Sequence, residues 1–344
     1  MENNQEKTTI KEIAQRAGVS IATVSRTINK SGYVNKLTRK KVENAIATLN
    51  YQPDTHARSL KGISTHTVAL IIPDILNVYY TNLAKVIEEE LRKRGFTLLL
   101  GITNDQTEFF LDYLNKFIAL DVDGVIYTPP PDTSTSSFVR ALAQKNLPIV
   151  EVNRRREIDL FDGVEADNFG AVCMAINYLF ELNHKRIAFI VGSSTTTTGL
   201  RRLEGYRYCM NKAGIELDPD FIKVGEFTRA YGEKATKELL RIEDENRPTA
   251  IFPTSNRLLM GTMKILKENN LKVPEDISVI AMDDTEWLEF FAPSITTVDI
   301  AIDEMAKLAV ELLADRMERK NILENPRTYS LSTTLKIRNS CRQL

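Results

Sequence analysis

Residues 9–28 read Thr-Ile-Lys-Glu-Ile-Ala-Gln-Arg-Ala-Gly-Val-Ser-Ile-Ala-Thr-Val-Ser-Arg-Thr-Ile, and two short helices joined by a tight turn can be drawn directly from them. Ile10, Ile13, Ala14 and Ala17 fall at i, i+3, i+4 and i+7, the spacing of one apolar helix face, and Thr9 is placed to cap it. Gly18 breaks the pattern where the chain needs a positive φ. Ser20 is placed to cap a second helix, on which Val24 and Ile28 share one side with Val19 just ahead, while Ala22, Thr23 and Arg26 face the other. Such a small, polar and basic face suits a DNA major groove, where an arginine reads guanine. The pattern spells a helix-turn-helix; the competing reading is two ordinary core helices with a solvated face.

The charge distribution favours DNA. Residues 1–62 hold eleven Lys and Arg against five Asp and Glu, and the remainder holds 34 against 41, so a net charge of −1 conceals a basic head on an acidic body. At 344 residues the chain suits a small module plus one large or two medium ones. Its 43% hydrophobic and 26% charged content is that of a soluble globular protein, and no apolar run approaches the ~18 residues of a membrane span. The opening Met-Glu-Asn-Asn-Gln-Glu-Lys carries no apolar segment, so the expectation is a cytoplasmic protein without a secretory signal. Cys173, Cys209 and Cys341 are far apart and read as buried thiols, and His56, His66 and His184 are too scattered for ligation, so neither a metal nor a cofactor is expected.

Working outward, Thr38 is expected to cap a third helix whose stripe is Val42, Ala45, Ile46 and Leu49. Asp54 to Leu60, closed by Lys61-Gly62, reads either as a linker or as one short helix, ordered only when something holds it, because isolated helices below about 12 residues are marginal. From residue 66 short apolar runs alternate with amphipathic segments. Strands are expected at Val68 to Ile72, Thr97 to Leu100, Gly124 to Tyr127, Ile149 to Val152, Arg186 to Val191, Ala250 to Phe252 and Ser278 to Met282. Helices are expected near Tyr80 to Arg94, Glu108 to Leu120, Ser137 to Lys145, Asn168 to Leu182, Arg202 to Ala213, Tyr231 to Leu240 and Leu258 to Asn269. That alternation predicts parallel sheets covered on both faces, in two lobes. The body has no Gly-x-Gly-x-x-Gly after a strand, no Walker-type Gly-Lys-Ser/Thr and no Gly-x-Ser-x-Gly. Asp283-Asp284 follows a strand, where α/β sheets bind ligands, but no histidine or cysteine partner stands at another strand end, so binding is expected and no catalytic residue is assigned.

The chain resembles the lactose repressor/galactose repressor family of bacterial transcription regulators from about Thr9 to Ile337. The resemblance is carried by Thr9-Ile-Lys-Glu-Ile-Ala, Gly18-Val-Ser, Ala22-Thr-Val-Ser-Arg26, Leu49-Asn-Tyr-Gln-Pro53, Ala57-Arg-Ser-Leu60, Val68-Ala-Leu-Ile-Ile-Pro-Asp74, and Ile277-Ser-Val-Ile-Ala-Met-Asp-Asp284 followed by Thr296-Thr297. It implies an all-α three-helix helix-turn-helix head on an α/β two-lobed, periplasmic-binding-protein-like body of doubly wound parallel sheets. It further implies a homodimer on near-palindromic operator DNA and a small-molecule effector closed between the lobes. The expected divisions are a head at 1–51, a hinge helix at 52–63, a first lobe at 64–165 and 296–322, and a second lobe at 166–295 and 323–344.

By the same resemblance Ile21, Ala22 and Arg26 face bases, although a helical wheel turns Ile21 towards the core. Ser20, Thr23, Ser25 and Asn29 hold phosphates, and Ala57 and Leu60 enter the minor groove, Leu60 as a wedge between base steps. Asp54 stands where the family has asparagine. The effector cleft maps onto Tyr79, Tyr80, Asn153, Arg154, Arg202, Phe227, Asn256 and Asp283, a set suited to a polyhydroxylated ligand. Ser255-Asn256 replaces the family's Asn-Asp, and Asn153 replaces an aspartate. Losing two anions leaves Arg154, Arg202 and Arg257 less neutralised and tilts the expectation from a plain sugar towards a sugar acid or sugar phosphate. Two other readings stay open: a global regulator controlled by a partner protein, and an enzyme of sugar metabolism with a fused DNA-binding head. No heptads follow the last strand, so a coiled-coil tetramer is not expected.

Overall fold

The computed structural model describes residues 8–28, 31–49, 64–131, 136–143, 147–156, 160–318 and 325–344. Asn29, Ala57 and Leu60, with the rest of the expected hinge, lie outside the described residues. The chain separates into two compact units, Met1–Thr65 and His66–Leu344.

In the smaller unit α1 (Ile10–Ala17), α2 (Ile21–Ile28) and α3 (Lys36–Thr48) enclose a core of Ile13, Ala14, Ala17, Val24, Val42 and Ala45. Thr9 accepts the Glu12 amide, and the Glu12 carboxylate accepts the Thr9 N–H at 2.8 Å, a reciprocal capping box. Gly18 sits at φ 65, ψ 39, so the turn between the first two helices uses the left-handed conformation that a Cβ disfavours. Ser20 caps α2 by accepting the Thr23 N–H at 3.2 Å. The third helix begins earlier than its apolar stripe suggests. Asn35, not Thr38, is the cap and accepts the Leu37 N–H at 2.9 Å. The intervening Lys36 and Leu37 are exposed, so they carry no apolar signal of the first turn.

The larger unit runs β1 (Thr67–Ile72), α4 (Val78–Lys93), β2 (Thr97–Ile102), α5 (Thr107–Ala119), β3 (Gly124–Tyr127), α6 (Ser136–Ala143), β4 (Ile149–Val152) and β5 (Asp162–Ala166). It continues with α7 (Asn168–Glu181), β6 (Ile187–Val191), α8 (Thr197–Lys212), β7 (Ile222–Val224), α9 (Arg229–Leu239), β8 (Ala250–Pro253), α10 (Asn256–Glu268), β9 (Ser278–Met282) and β10 (Thr296–Ile300). It ends with α11 (Ile302–Glu318), β11 (Thr328–Leu331) and β12 (Thr333–Lys336). Two six-stranded sheets result, ordered β11-β5-β4-β3-β1-β2 and β12-β10-β9-β8-β6-β7. Every pairing between the described strands is parallel except β10 with β12. Strands β3, β4, β6, β8 and β9 are buried along their whole length, because helices cover both faces and leave no side to alternate towards water.

Each sheet turns back at its second strand. β1 lies between β2 and β3, and β6 lies between β7 and β8. A crevice opens at the carboxyl ends of strands where the winding reverses, and this chain has one such point in each lobe. The lobe boundaries differ from the expected ones. Thr296 pairs with Ile280, which puts β10 in the second sheet, and Thr328 pairs with Gly163, which puts β11 in the first. The divisions at 296 and 323 are therefore corrected: the chain changes lobe after β10 and again between β11 and β12. β11 is mostly exposed and offers no apolar run, and β10 precedes a crossover where a strand usually precedes a helix of its own lobe. Among the described residues no helix is long and apolar enough to cross a membrane.

Candidate functional site

Two surfaces follow from these folds. On the head, Ile21, Ala22 and Arg26 are exposed while Val24 and Thr27 are buried, so the outer face of α2 carries the three expected base-facing side chains. Ile21 is 45% exposed, which corrects the wheel: the first turn of α2 projects beyond the Ile13–Val24–Val42 core. Ser20 is exposed, and Thr23 and Ser25 are half-buried on the same helix. The Ser20 and Thr23 hydroxyls lie 2.9 Å apart. One of their protons bridges the pair, and the other remains for an outside acceptor such as phosphate oxygen.

In the body, a cavity of about 40 Å³ lies between the two lobes, lined by the residues that leave the carboxyl ends of the strands. Asn77, Tyr79 and Tyr80 follow β1, Asp105 follows β2, Asn153 and Arg154 follow β4, Thr198 follows β6, Phe227 follows β7, Ser255 follows β8 and Asp283 follows β9. Asn77 caps α4 by accepting the Tyr79 N–H at 3.0 Å, which sets both tyrosines on the first helical turn. Their rings meet edge to face at 5.1 Å, and Tyr80 Oη accepts from Asn153 Nδ2 at 2.8 Å. Burial raises the Tyr80 pKa to about 12, so the phenol stays protonated. Both tyrosines also belong to the apolar core, so they hold the wall of the cleft as well as facing it.

Arg202 and Asp283 are almost completely buried. Arg202 Nε donates to Asn168 Oδ1 at 2.8 Å and Nη1 donates to the Thr254 carbonyl, which leaves Nη2 facing Asp283 Oδ1 at 3.9 Å. That gap exceeds hydrogen-bond reach, so each charge is oriented towards the other without being satisfied by it. Burial accordingly lowers the Arg202 pKa and raises that of Asp283, against the attraction between them. The next residue behaves oppositely. Burial alone would raise Asp284, but hydrogen bonds from Arg338, Lys336 and Thr297 outweigh it and bring the pKa to about 2. Asp284 thus ties the crossover strands together, whereas Asp283, at φ 69, is turned into the cleft.

Arg154 binds Asp105 bidentately, at 2.5 and 3.1 Å, and lies 5.6 Å from the centre of the Phe227 ring; Arg202 lies 6.0 Å from the same ring. Asn256 does not line the cavity. Its Nδ2 donates across the lobes to Asn77 Oδ1 at 2.8 Å, and Arg257 faces Asp74 at 3.5 Å, so these two residues latch one lobe to the other. The expected excess of positive charge is therefore corrected: Arg154, Arg202 and Arg257 each face a carboxylate within 4 Å. The sequence reading missed Asp105 and Asp74 because both partners come from the opposite side of a long sequence interval. It also missed Gly192, where a Cβ would lie 2.2 Å from the Phe227 ring; the bare backbone is what lets that ring lie in the cleft. Gly192→Ala should displace the ring and weaken ligand binding about tenfold or more by calorimetry, since overpacking costs about 1–3 kcal/mol. Unchanged affinity would show that Gly192 does not position Phe227.

Residues 9–54 match the bacterial regulatory proteins of the lacI family, and residues 176–341 match a periplasmic binding protein-like domain. Over 300 residues the chain is 35% identical to the HTH-type transcriptional regulator DegA of Bacillus subtilis (strain 168), covering 87% of this chain and 88% of that protein. This chain belongs to the LacI family. Its fold matches the lac repressor dimer bound to operator and the anti-inducer ONPF, with a TM-score of 0.84 at 23% identity, covering 98% of this chain and 100% of that one. A complex of the transcriptional regulator CelR with cellobiose matches with a TM-score of 0.71 at 29% identity, covering 97% and 100%. The LacI-family assignment makes the head a DNA-binding module and the chain a transcriptional regulator.

Proposed function

We propose that this regulator is a cytoplasmic repressor that binds a near-palindromic operator as a homodimer and is controlled by an uncharged, polyhydroxylated effector of the sugar class held between the lobes. The observation that carries the effector class is the 3.9 Å gap between Arg202 Nη2 and Asp283 Oδ1. A hydroxyl bridges such a gap by donating to the carboxylate and accepting from the guanidinium; a ligand carboxylate or phosphate has no proton for Asp283 and is repelled by it. Phe227 and the two tyrosines supply apolar faces for a ring. CelR, a regulator of the same fold, binds a sugar of this kind. The site is read as binding and not catalytic: Asp283 is surrounded by Arg202 and Asn256 and is used to hold a hydroxyl.

A cavity of about 40 Å³ has room for roughly three water molecules, far less than a sugar ring. Ligand entry therefore requires the lobes to separate or the Arg154–Phe227 pair to shift, which is how occupancy reaches the rest of the molecule. Isothermal titration with matched neutral, carboxylated and phosphorylated sugars tests this reading. Saturable binding of a neutral member supports it, and preference for the acids overturns it.

In the head, Arg26→Ala should weaken binding to the specific operator by about 1–3 kcal/mol while non-specific binding stays nearly constant, because a base contact carries sequence and a phosphate contact does not. Anisotropy titrations on both DNAs decide it. Equal losses on the two would assign Arg26 to the DNA backbone.

A further inference from the structure

We propose that Asp105 sets the charge specificity of the cleft: by occupying Arg154 it keeps anionic ligands out, and its removal converts the site into an anion site. The inference rests on the cleft being the ligand site and deepens that reading by naming the residue that decides which ligands are refused. Asp105 belongs to the loop after β2 and stands at φ 58, next to Asn104 at φ 51, a locally strained turn that directs its carboxylate inward. Its side chain is 31% exposed, whereas that of Arg154 is 4% exposed. Arg154 Nη1 and Nη2 donate to the two Asp105 oxygens at 2.5 and 3.1 Å, and Nη1 also reaches the Pro129 carbonyl at a longer 3.4 Å. Arg154 Nε is buried without a hydrogen-bond partner.

Arg154 and Arg202 approach the same Phe227 ring, so two buried cations share one small space. Asp74 is paired with Arg257, Asp105 with Arg154 and Asp283 with Arg202, so each cation at the cleft already faces a carboxylate and an incoming anion finds no unmatched positive charge. Without the Asp105 charge, Arg154 is a buried guanidinium with its bidentate fork open, the geometry that carboxylates, sulfates and phosphates fit. The more exposed partner of the pair is thus the one that governs access, and the buried arginine is the group it shields.

The test uses the full chain with inorganic sulfate as probe, titrated calorimetrically at pH 7.5 into wild type, Asp105→Asn, Asp105→Ala and the double variant Asp105→Asn with Arg154→Gln. Asp105→Asn and Asp105→Ala are expected to gain saturable sulfate binding about tenfold or more tighter than wild type, and the double variant to return to the wild-type level. The alanine variant guards against the asparagine amide itself occupying Arg154. Equal sulfate affinity in wild type and both single variants overturns the proposal, as does a gain that survives in the double variant. Titration of the wild type with neutral sugars, run alongside, tests the ligand site separately: neutral binding without any sulfate gain in the variants refutes the role of Asp105 alone.

Discussion

Raising the salt from about 50 to about 200 mM should weaken operator binding about a thousandfold or more. The expectation follows from where the charge lies. Residues 1–62 hold eleven basic against five acidic side chains on a chain of net charge −1, so the head meets the phosphates while the body repels them. Two heads neutralising six or more phosphates release that number of condensed counterions, and affinity then falls with a high power of salt concentration. Arg26 and the Ser20–Thr23 hydroxyl pair lie on the outer face of α2 where such contacts form. Anisotropy titrations at four salt concentrations give the slope. A flat dependence would show that binding is not led by phosphates and would remove the basic head from the explanation.

Asp283→Asn should lower effector affinity about a hundredfold and abolish the effector's influence on operator binding at concentrations that saturate wild type. Hydrogen bonds to charged groups are worth about 1.5–3 kcal/mol, and an amide oxygen facing the ligand keeps the shape of the site while losing the charge. Asparagine is the sharper test than alanine, because it keeps the side-chain volume and an acceptor oxygen and removes only the charge, whereas alanine also opens a cavity beside the buried Arg202. The same residue gives a pH signature. Burial raises the folded-state pKa of Asp283, so ionised Asp283 opposes folding at neutral pH, and the effector contact is lost, as pH falls, above the usual carboxylate value of about 3.9. Asp284 has the reverse sign: with its pKa brought to about 2, its stabilising contribution is present above about 3.9 and disappears as pH falls towards 2. Effector affinity in wild type should therefore decline on acidification before the fold does. If Asp283→Asn retains the wild-type response, Asp283 does not contact the effector.

The head was legible because every signal in it is local. The Thr9 cap, the left-handed Gly18 and the spacing of Ile13, Ala14 and Ala17 all fall within ten residues. Asp283, which follows an uninterrupted apolar strand, is legible in the same way, whereas the family resemblance alone assigns Arg202, Phe227 and the tyrosines to the cleft, and the structure brings all of them to the same cavity. What sequence patterns do not carry is the partner of each charge. Arg154 and Asp105 are 49 residues apart, and no local pattern joins them. Strand β7, three residues long and half-buried, left no periodic trace although Phe227 is placed by it. The lobe changes at β10 and β11 are likewise decided by pairings between distant strands, and side-chain alternation within one strand is silent about which sheet it joins.

Occupancy of the cleft and occupancy of the operator share one free energy on this scheme. The deciding comparison is the operator Kd of the wild-type protein with and without the neutral sugar identified by calorimetry, at constant salt and pH. A single coupling free energy of the usual size predicts a change of about 5–150-fold in operator affinity, mirrored by an equal change in sugar affinity when operator is present. An operator Kd that stays the same while calorimetry shows the cleft to be saturated would contradict the account.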